Sequence, residues 1–316
     1  MIFSAASCRP GYDAARTEKV TDSEARALAL FEAERPRLRA AAVRMVGLDG
    51  AEDAVQEAWL RFARAERDAL DNPAAWLLTV VGRVCLDMLR ARRARPEAPY
   101  APDLLDPLPD ALRRPSEAAD PAQEAVLVDS VGRALLVVLA RLAPAERIAF
   151  VLHDLFAVPF DQVGPVLGRT PQTAKKLASR ARGKVRGGAD GPPVDAGWHR
   201  AVVETFLAAA RGRDIAGLLA VLDPGVVRHA DPAAVPAGAP LELRGAKDVV
   251  DETLLLWRNA QHAGLALVDG RVGLVVAPRG HLRAVITMTV EHGRITEYAV
   301  TADPARLARI RIAVPA

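Results

Sequence analysis

Two cysteines in 316 residues make no disulfide framework and no metal site: Cys8 lies near the start and Cys85 far away in an apolar run. A reducing cytoplasm is therefore the expected setting, and no metal or other cofactor is expected. No stretch approaches the roughly 20 apolar residues of a membrane span. The opening MIFSAASCRPG lacks the charged start and long apolar run of a secretory signal. Charge of one sign is also missing in bulk, since the net charge is only +3. With 51% hydrophobic and 26% charged residues the composition excludes a wholly disordered chain. What charge there is stands in clusters. Arg169, Lys175, Lys176, Arg180, Arg182, Lys184 and Arg186 follow one another with no acid between them, and Arg90, Arg92, Arg93 and Arg95 form a second run. Two separated basic patches fit an extended polyanion, although either alone fits a solvated helix face.

Residues 1–20 show no periodicity and read as a flexible tail. Helical patterning starts near Asp22 with Ala27, Leu28, Phe31, Leu38, Ala42 and Met45, and Pro36 predicts a kink or split. Gly47 to Gly50 breaks the pattern before a second helix over 51–67. Asp71-Asn72-Pro73 is a start signal, a capping side chain followed by proline at the first helical position, for a third helix over 73–92. Seven prolines between residues 96 and 121 deny helix and mark a linker. Helices are expected again over 122–142, 144–156, 159–167 and 171–185, then a Gly/Pro linker over 187–194. Beyond it the periodicity changes. Helices over 195–210 and 246–261 give way to strands: Leu282, Ala284, Ile286, Met288 and Val290 alternate with Arg283, Thr287 and Thr289, and Glu291-His292-Gly293 turns the chain into a return strand over 295–300. The expected architecture is multidomain. An all-α domain over 21–95 is joined through a Pro-rich linker to a second all-α domain over 122–186, and an α+β domain occupies 195–316.

Within the second domain, Gly168 can supply the left-handed end of one helix, Thr170 can cap the next and Pro171 suits its first position. Helix, tight turn and capped basic helix is the helix-turn-helix pattern. On the last helix Ala174, Leu177, Ala181 and Val185 share an inward face. Thr170, Gln172, Thr173, Lys175, Lys176, Ser179, Arg180 and Arg182 supply the amide, hydroxyl and cationic groups that read base edges and phosphates, with no carboxylate to repel them. Gly164-Pro165 departs from the helix formers usual at that point and predicts a shortened or bent helix.

In the first domain Val55, Trp59 and Phe62 face inward, while Glu52, Asp53, Gln56 and Glu57 form an acidic and amide patch. The next helix places Trp76, Leu77, Val80, Val81, Val84, Cys85, Met88 and Leu89 at helical period, with Arg83, Asp87 and Arg90 on its polar side. Each helix alone fits ordinary amphipathic packing.

Together the segments are specific. Glu52-Asp53-Ala-Val-Gln56-Glu57-Ala-Trp-Leu-Arg61, then Trp76 to Arg90, resemble the second conserved region of extracytoplasmic-function sigma factors, and 144–186 resembles their fourth region. The resemblance implies that Glu52, Asp53, Gln56, Glu57 and Arg61 contact the clamp of core RNA polymerase. It implies that Arg83, Asp87, Arg90, Arg92 and Arg93 lie near a melted promoter element, and that the helix from Thr170 reads an upstream element. The partners implied are core RNA polymerase, through its clamp and flap, and promoter DNA. No catalytic residue is implied.

The C-terminal third, with Val203 to Leu219, Asp269-Gly-Arg-Val-Gly273 and Ala302-Asp-Pro-Ala-Arg-Leu307, resembles the SnoaL-like domain fused to one sigma subgroup. There it modulates the sigma domains through contact within the same chain. Asp269 and Val272 depart from that subgroup's Asn and Pro. Two rival readings stand beside this one. A helix-turn-helix regulator could act without polymerase, although the Glu52–Arg61 patch argues against it. Alternatively, the cone-shaped domain could be an enzyme or ligand sensor with His229, Asp231, His262, His281 and His292 as polar liners of its pocket.

Overall fold

The computed structural model describes residues 10–65, 70–94, 132–187 and 196–315. The linker expected over 96–121, nearly all of that expected over 187–194, and the first part of the helix expected over 122–142 fall outside the described residues.

Helices α1 (Pro10–Val46), α2 (Leu48–Arg64) and α3 (Pro73–Ala94) build the first module. The tail expected to residue 20 is corrected: α1 already begins at Pro10, where proline suits a first helical position. Residues 12–35 contain neither glycine nor proline to interrupt it. Pro36 does not split the helix. Pro36 lies inside one continuous helix on its exposed side, where a carbonyl that loses its partner meets water. Gly47, at φ 84°, makes the whole connection to α2. The core joins Phe31, Val55 and Phe62, with ring centroids 4.9 Å apart for Phe31 and Trp59 and 5.8 Å for Phe62 and Trp76. Helix α3 buries the expected Leu77, Val81, Val84, Cys85 and Leu89, but also Leu78, Gly82 and Leu86. These last three, four residues apart, form a second face. A Cβ on Gly82 would come within 2.9 Å of Leu152, so this face closes on the second module.

That module comprises α4 (Arg133–Arg141), α5 (Pro144–Phe150), α6 (Phe160–Leu167) and α7 (Pro171–Arg186). The helix expected over 144–156 changes hydrogen-bond pattern midway: residues Val151–Leu155 form a π-helical turn. Contacts between the modules are specific. Arg147 Nη1 donates to the Met45 carbonyl at 2.8 Å, and the Arg44 guanidinium lies 5.6 Å from the Phe156 ring centre. Burial, helped by Arg93 and Arg92 nearby, pushes the Arg147 pKa down to about 10.

The C-terminal domain runs α8 (Ala196–Gly212), α9 (Ile215–Val221), β1 (Leu222–Ala230), β2 (Glu242–Arg244), α10 (Ala246–Leu255), α11 (Trp257–Gln261), β3 (Ala263–Val268), β4 (Arg271–Val276), β5 (Ala284–Glu291), β6 (Arg294–Thr301), α12 (Pro304–Arg309) and β7 (Ile312–Ala313). Its seven strands form one sheet in the order β2-β1-β6-β5-β4-β3-β7, parallel between β1 and β6 and antiparallel elsewhere. The single helix expected over 246–261 is two, broken at Leu256. Asp269-Gly270 and His292-Gly293 all have positive φ, as two-residue hairpin turns require. With helices against one face of a mixed sheet around a cavity, this is the α+β cone.

Strand β4 explains how the domains meet. Its stretch Val272 to Val276 is apolar without alternation, the pattern of a strand covered on both faces. Leu274 and Val276 pack with Phe206 of α8 in the domain's own core. Val275 and Ala277, on the other face, join Val268, Val285 and Ile312 in one continuous core with the helical modules. Polar contacts hold this seam. Arg141 donates to the carbonyls of Leu307 at 2.8 Å and Ile310 at 2.5 Å, occupying the open carbonyl end of α12. The Val314 amide donates to Val185 at 3.0 Å. Asp49, in the first turn of α2, meets Arg279 at 3.0 Å and His281 at 3.1 Å.

Candidate nucleic-acid interface

The geometry of α7 is set before its first turn. Gly168 takes φ 65°, ψ 38°; its amide donates to Pro165 at 3.2 Å, and the Arg169 amide donates to Gly164 at 2.9 Å. These two bonds close a Schellman motif on α6. Thr170 then caps α7, accepting from the Thr173 amide at 3.2 Å, and the two hydroxyls lie 2.9 Å apart. The Gly164-Pro165 pair, unusual as sequence, has a reason here. A Cβ on Gly164 would sit 2.8 Å from the Arg169 carbonyl and 3.1 Å from the Pro171 nitrogen, so only glycine lets the turn fold back this closely.

Helix α7 buries Ala174, Ala178, Ala181 and Val185, while Leu177, expected inside, is only partly covered. Gln172, Lys175, Lys176, Ser179 and Arg180 are exposed, and no carboxylate stands among them. Two cations of the basic run are committed within the module. Arg182 donates from Nε to Asp154 at 2.7 Å and Lys184 contacts Glu146 at 2.7 Å. Arg182, an expected DNA contact, thus holds α7 against the π-helical turn.

The α3 residues divide similarly. Arg83, Asp87, Arg90 and Arg93 are exposed, and among the described residues the one ion-pair approach between them is a long 3.7 Å from Arg90 to Asp87. Arg92 is exposed too, but its Nη1 is committed within the module, donating to the Val46 carbonyl at 2.9 Å and closing the end of α1. On α2, Asp53 and Gln56 are exposed. Glu52 is held by Arg39 at 2.7 Å and Arg35 at 3.5 Å, and Glu57 pairs with Arg61 at 2.9 Å. The acidic patch is therefore a mixed-charge surface with Asp53 and Gln56 at its exposed centre.

In the C-terminal domain, the residues expected as polar liners do not gather. Asp231 is buried and accepts from the Ala302 and Asp303 amides, both at 2.9 Å, fixing the approach to α12. His229 points to Glu242 and Glu297 at the surface, His281 reaches Asp49, and His292 sits in a hairpin turn. Burial lowers the His262 pKa, aided by Arg133 nearby. The domain's apolar cavity, about 90 Å³, is instead lined by Phe206, Leu274, Ile286 and Tyr298, with Glu252 and Thr253 at its edge. Beside it Arg228, buried to 1% exposure, forms a two-pronged pair with Glu252 and also donates to the Pro240 and Leu241 carbonyls at 3.2 Å. Burial pushes the Tyr298 pKa up. This cluster escaped the sequence reading because an arginine on a strand gives no sign of its partner on a helix 24 residues away.

The two helical modules are those of the sigma-70 class of transcription-initiation proteins: Sigma-70 region 2 matches residues 30–95 and Sigma-70, region 4 matches residues 132–185. The chain is 35% identical over 292 residues to the probable ECF RNA polymerase sigma factor SigI of Mycobacterium tuberculosis, covering 90% of this chain and 95% of that protein. It is 36% identical over 293 residues to the ECF RNA polymerase sigma factor SigJ of the same species, covering 87% and 91%. The crystal structure of Mycobacterium tuberculosis SigJ aligns over 89% of this chain and 98% of that one, with 32% identity and a TM-score of 0.43. The chain belongs to the extracytoplasmic-function RNA polymerase sigma factors.

Proposed function

We propose that this chain carries core RNA polymerase to a set of promoters and opens them there. The exposed centre of α2, Asp53 and Gln56 framed by Glu52, Glu57 and Arg61, docks on the polymerase clamp, and the second module meets the flap. Helix α7 enters the major groove at the upstream element through Gln172, Lys175, Lys176, Ser179 and Arg180, while Thr170 and Thr173 fix its start. Arg83, Asp87, Arg90 and Arg93 line the path of the separated strand. Arg92 and Arg182 act behind these surfaces, the first by closing α1 and the second by bracing α7. The chain does no covalent chemistry. Extruding a base costs about a few kcal/mol, which captured bases and phosphate contacts offset.

The observation that carries this reading is the exposed face of α7, cationic and amide-bearing without a carboxylate. The C-terminal domain modulates the activity: its Arg279 and His281 grip Asp49 one turn before Asp53, so its position is coupled to the polymerase-facing patch. The double variant Lys176→Ala/Arg180→Ala should lose promoter-directed transcription while still co-purifying with core polymerase, and Asp53→Ala/Gln56→Ala should lose co-purification. If the wild-type chain never co-purifies with core, a stand-alone DNA-binding regulator replaces this reading.

A further inference from the structure

Between α7 and the C-terminal domain lies a cleft of about 1010 Å³ whose walls carry seven cationic side chains against two carboxylates. The recognition helix supplies Arg180 and Arg186 from one side, and the β3–β4 turn and the end of α12 supply Arg271 and Arg309 from the other. These four arginines are exposed and have no ion-pair partner among the described residues. Both carboxylates are occupied, Glu146 by Lys184 at 2.7 Å and Asp269 by Arg311, where the Arg311 amide donates at 2.9 Å. Like charges gathered face to face at a domain seam repel unless an anion lies between them.

We propose that this cleft seats the sugar–phosphate backbone of the DNA that α7 reads, so that the third domain is itself part of the DNA-binding surface. The proposal rests on α7 reading DNA. Arg180 belongs both to the exposed face of α7 and to the cleft wall, so a duplex held by the helix passes the mouth of the cleft. The character of the donors favours a backbone over a small trapped anion. All four are solvent-exposed, and among the described residues no buried polar atom lacking a partner belongs to a residue lining the cleft. A built pocket for a small anion would aim a desolvated donor inward. A polyelectrolyte contact needs only cations along the strand's path.

The test uses the full chain and a duplex that the chain itself selects from random sequence, with a scrambled duplex for comparison. Each phosphate contact contributes about 0.9 to the slope of log affinity against log salt. Arg271→Ala/Arg309→Ala should therefore flatten the slope by about 1.8 and leave the preference for selected over scrambled duplex unchanged. Arg244→Ala/Lys247→Ala, which removes the same charge from exposed positions of this domain outside the cleft, should leave the slope as it was. An unchanged slope in the cleft variant overturns the proposal, as does an equal flattening in the control pair. So does a slope that stays constant while the variant loses binding of inorganic tripolyphosphate, since the cleft would then hold a small anion. Lys176→Ala separates the two readings. If it abolishes the sequence preference while the cleft variant keeps its slope, only the cleft assignment falls. If it leaves the preference intact, helix reading falls and the cleft proposal with it.

Discussion

Glycine-to-alanine substitution at two positions of the helix-turn-helix should have opposite effects. Inside a helix the exchange gains about 0.8–1.0 kcal/mol from propensity alone. At Gly183, on the exposed side of α7, an added Cβ has nothing within 4 Å, so that gain should appear undiminished. At Gly164 the same methyl would lie 2.8 Å from the Arg169 carbonyl and 3.1 Å from the Pro171 nitrogen. Both neighbours are backbone held by the Schellman bonds and the Thr170 cap, so they cannot yield as a side-chain tip would. Overpacking of this kind costs about 1–3 kcal/mol. With the upper part of that range set against the propensity gain, Gly164→Ala should destabilise the motif by about 1–2 kcal/mol. That lowers the closed-to-open ratio by about 5- to 30-fold. Amide hydrogen exchange across residues 160–186 reads the ratio directly: protection should fall in Gly164→Ala and rise in Gly183→Ala. Should both variants shift in the same direction, the packing account of the turn is wrong and helix propensity alone governs it.

Three further outcomes follow from the packing. Arg228→Met should destabilise the C-terminal domain by about 3–5 kcal/mol in denaturant melts, because Glu252 keeps its charge without a partner, whereas Arg228→Met/Glu252→Leu should return to within about 1 kcal/mol of the parent; a single variant no worse than the double would deny the pair its role. The His281 hydrogen bond, with Arg279 adding to it, holds the Asp49 carboxyl below its ordinary pKa. A depressed carboxylate stabilises above its unfolded value, about 3.9, and the contribution is lost as pH falls through the folded value. A double-mutant cycle of Asp49→Asn and His281→Ala should thus give a coupling of up to about 1 kcal/mol at neutral pH that vanishes in acid, and a coupling that grows on acidification would refute it. Finally, burial pushes the Cys85 thiol up to about 12. It should resist iodoacetamide at pH 8 until the first module unfolds, and rapid native labelling would contradict the packing of α3.

Local grammar made much of this molecule legible. Thr170-Pro171 after Gly168 announced a capped helix, alternation over 282–290 announced a strand, and His292-Gly293 announced its turn. What stayed hidden depended on partners distant in the chain. The basic run from Arg169 to Arg186 does not reveal that Asp154 and Glu146 engage Arg182 and Lys184. The run Arg90 to Arg95 does not reveal that Arg92 turns back to Val46. The second apolar face of α3 and the unalternating β4 were visible as composition, but only the fold shows what covers them. His229 and Asp231 were expected as polar liners of the pocket, yet the first pairs with Glu242 at the surface and the second is buried against the start of α12.

Initiation itself is the most direct measurement. Run-off transcription over genomic fragments, with purified core polymerase and the full chain, should yield discrete start sites that share an upstream element and disappear with Lys176→Ala/Arg180→Ala. If the chain adds no start site to what core polymerase produces alone, the promoter-reading account is contradicted.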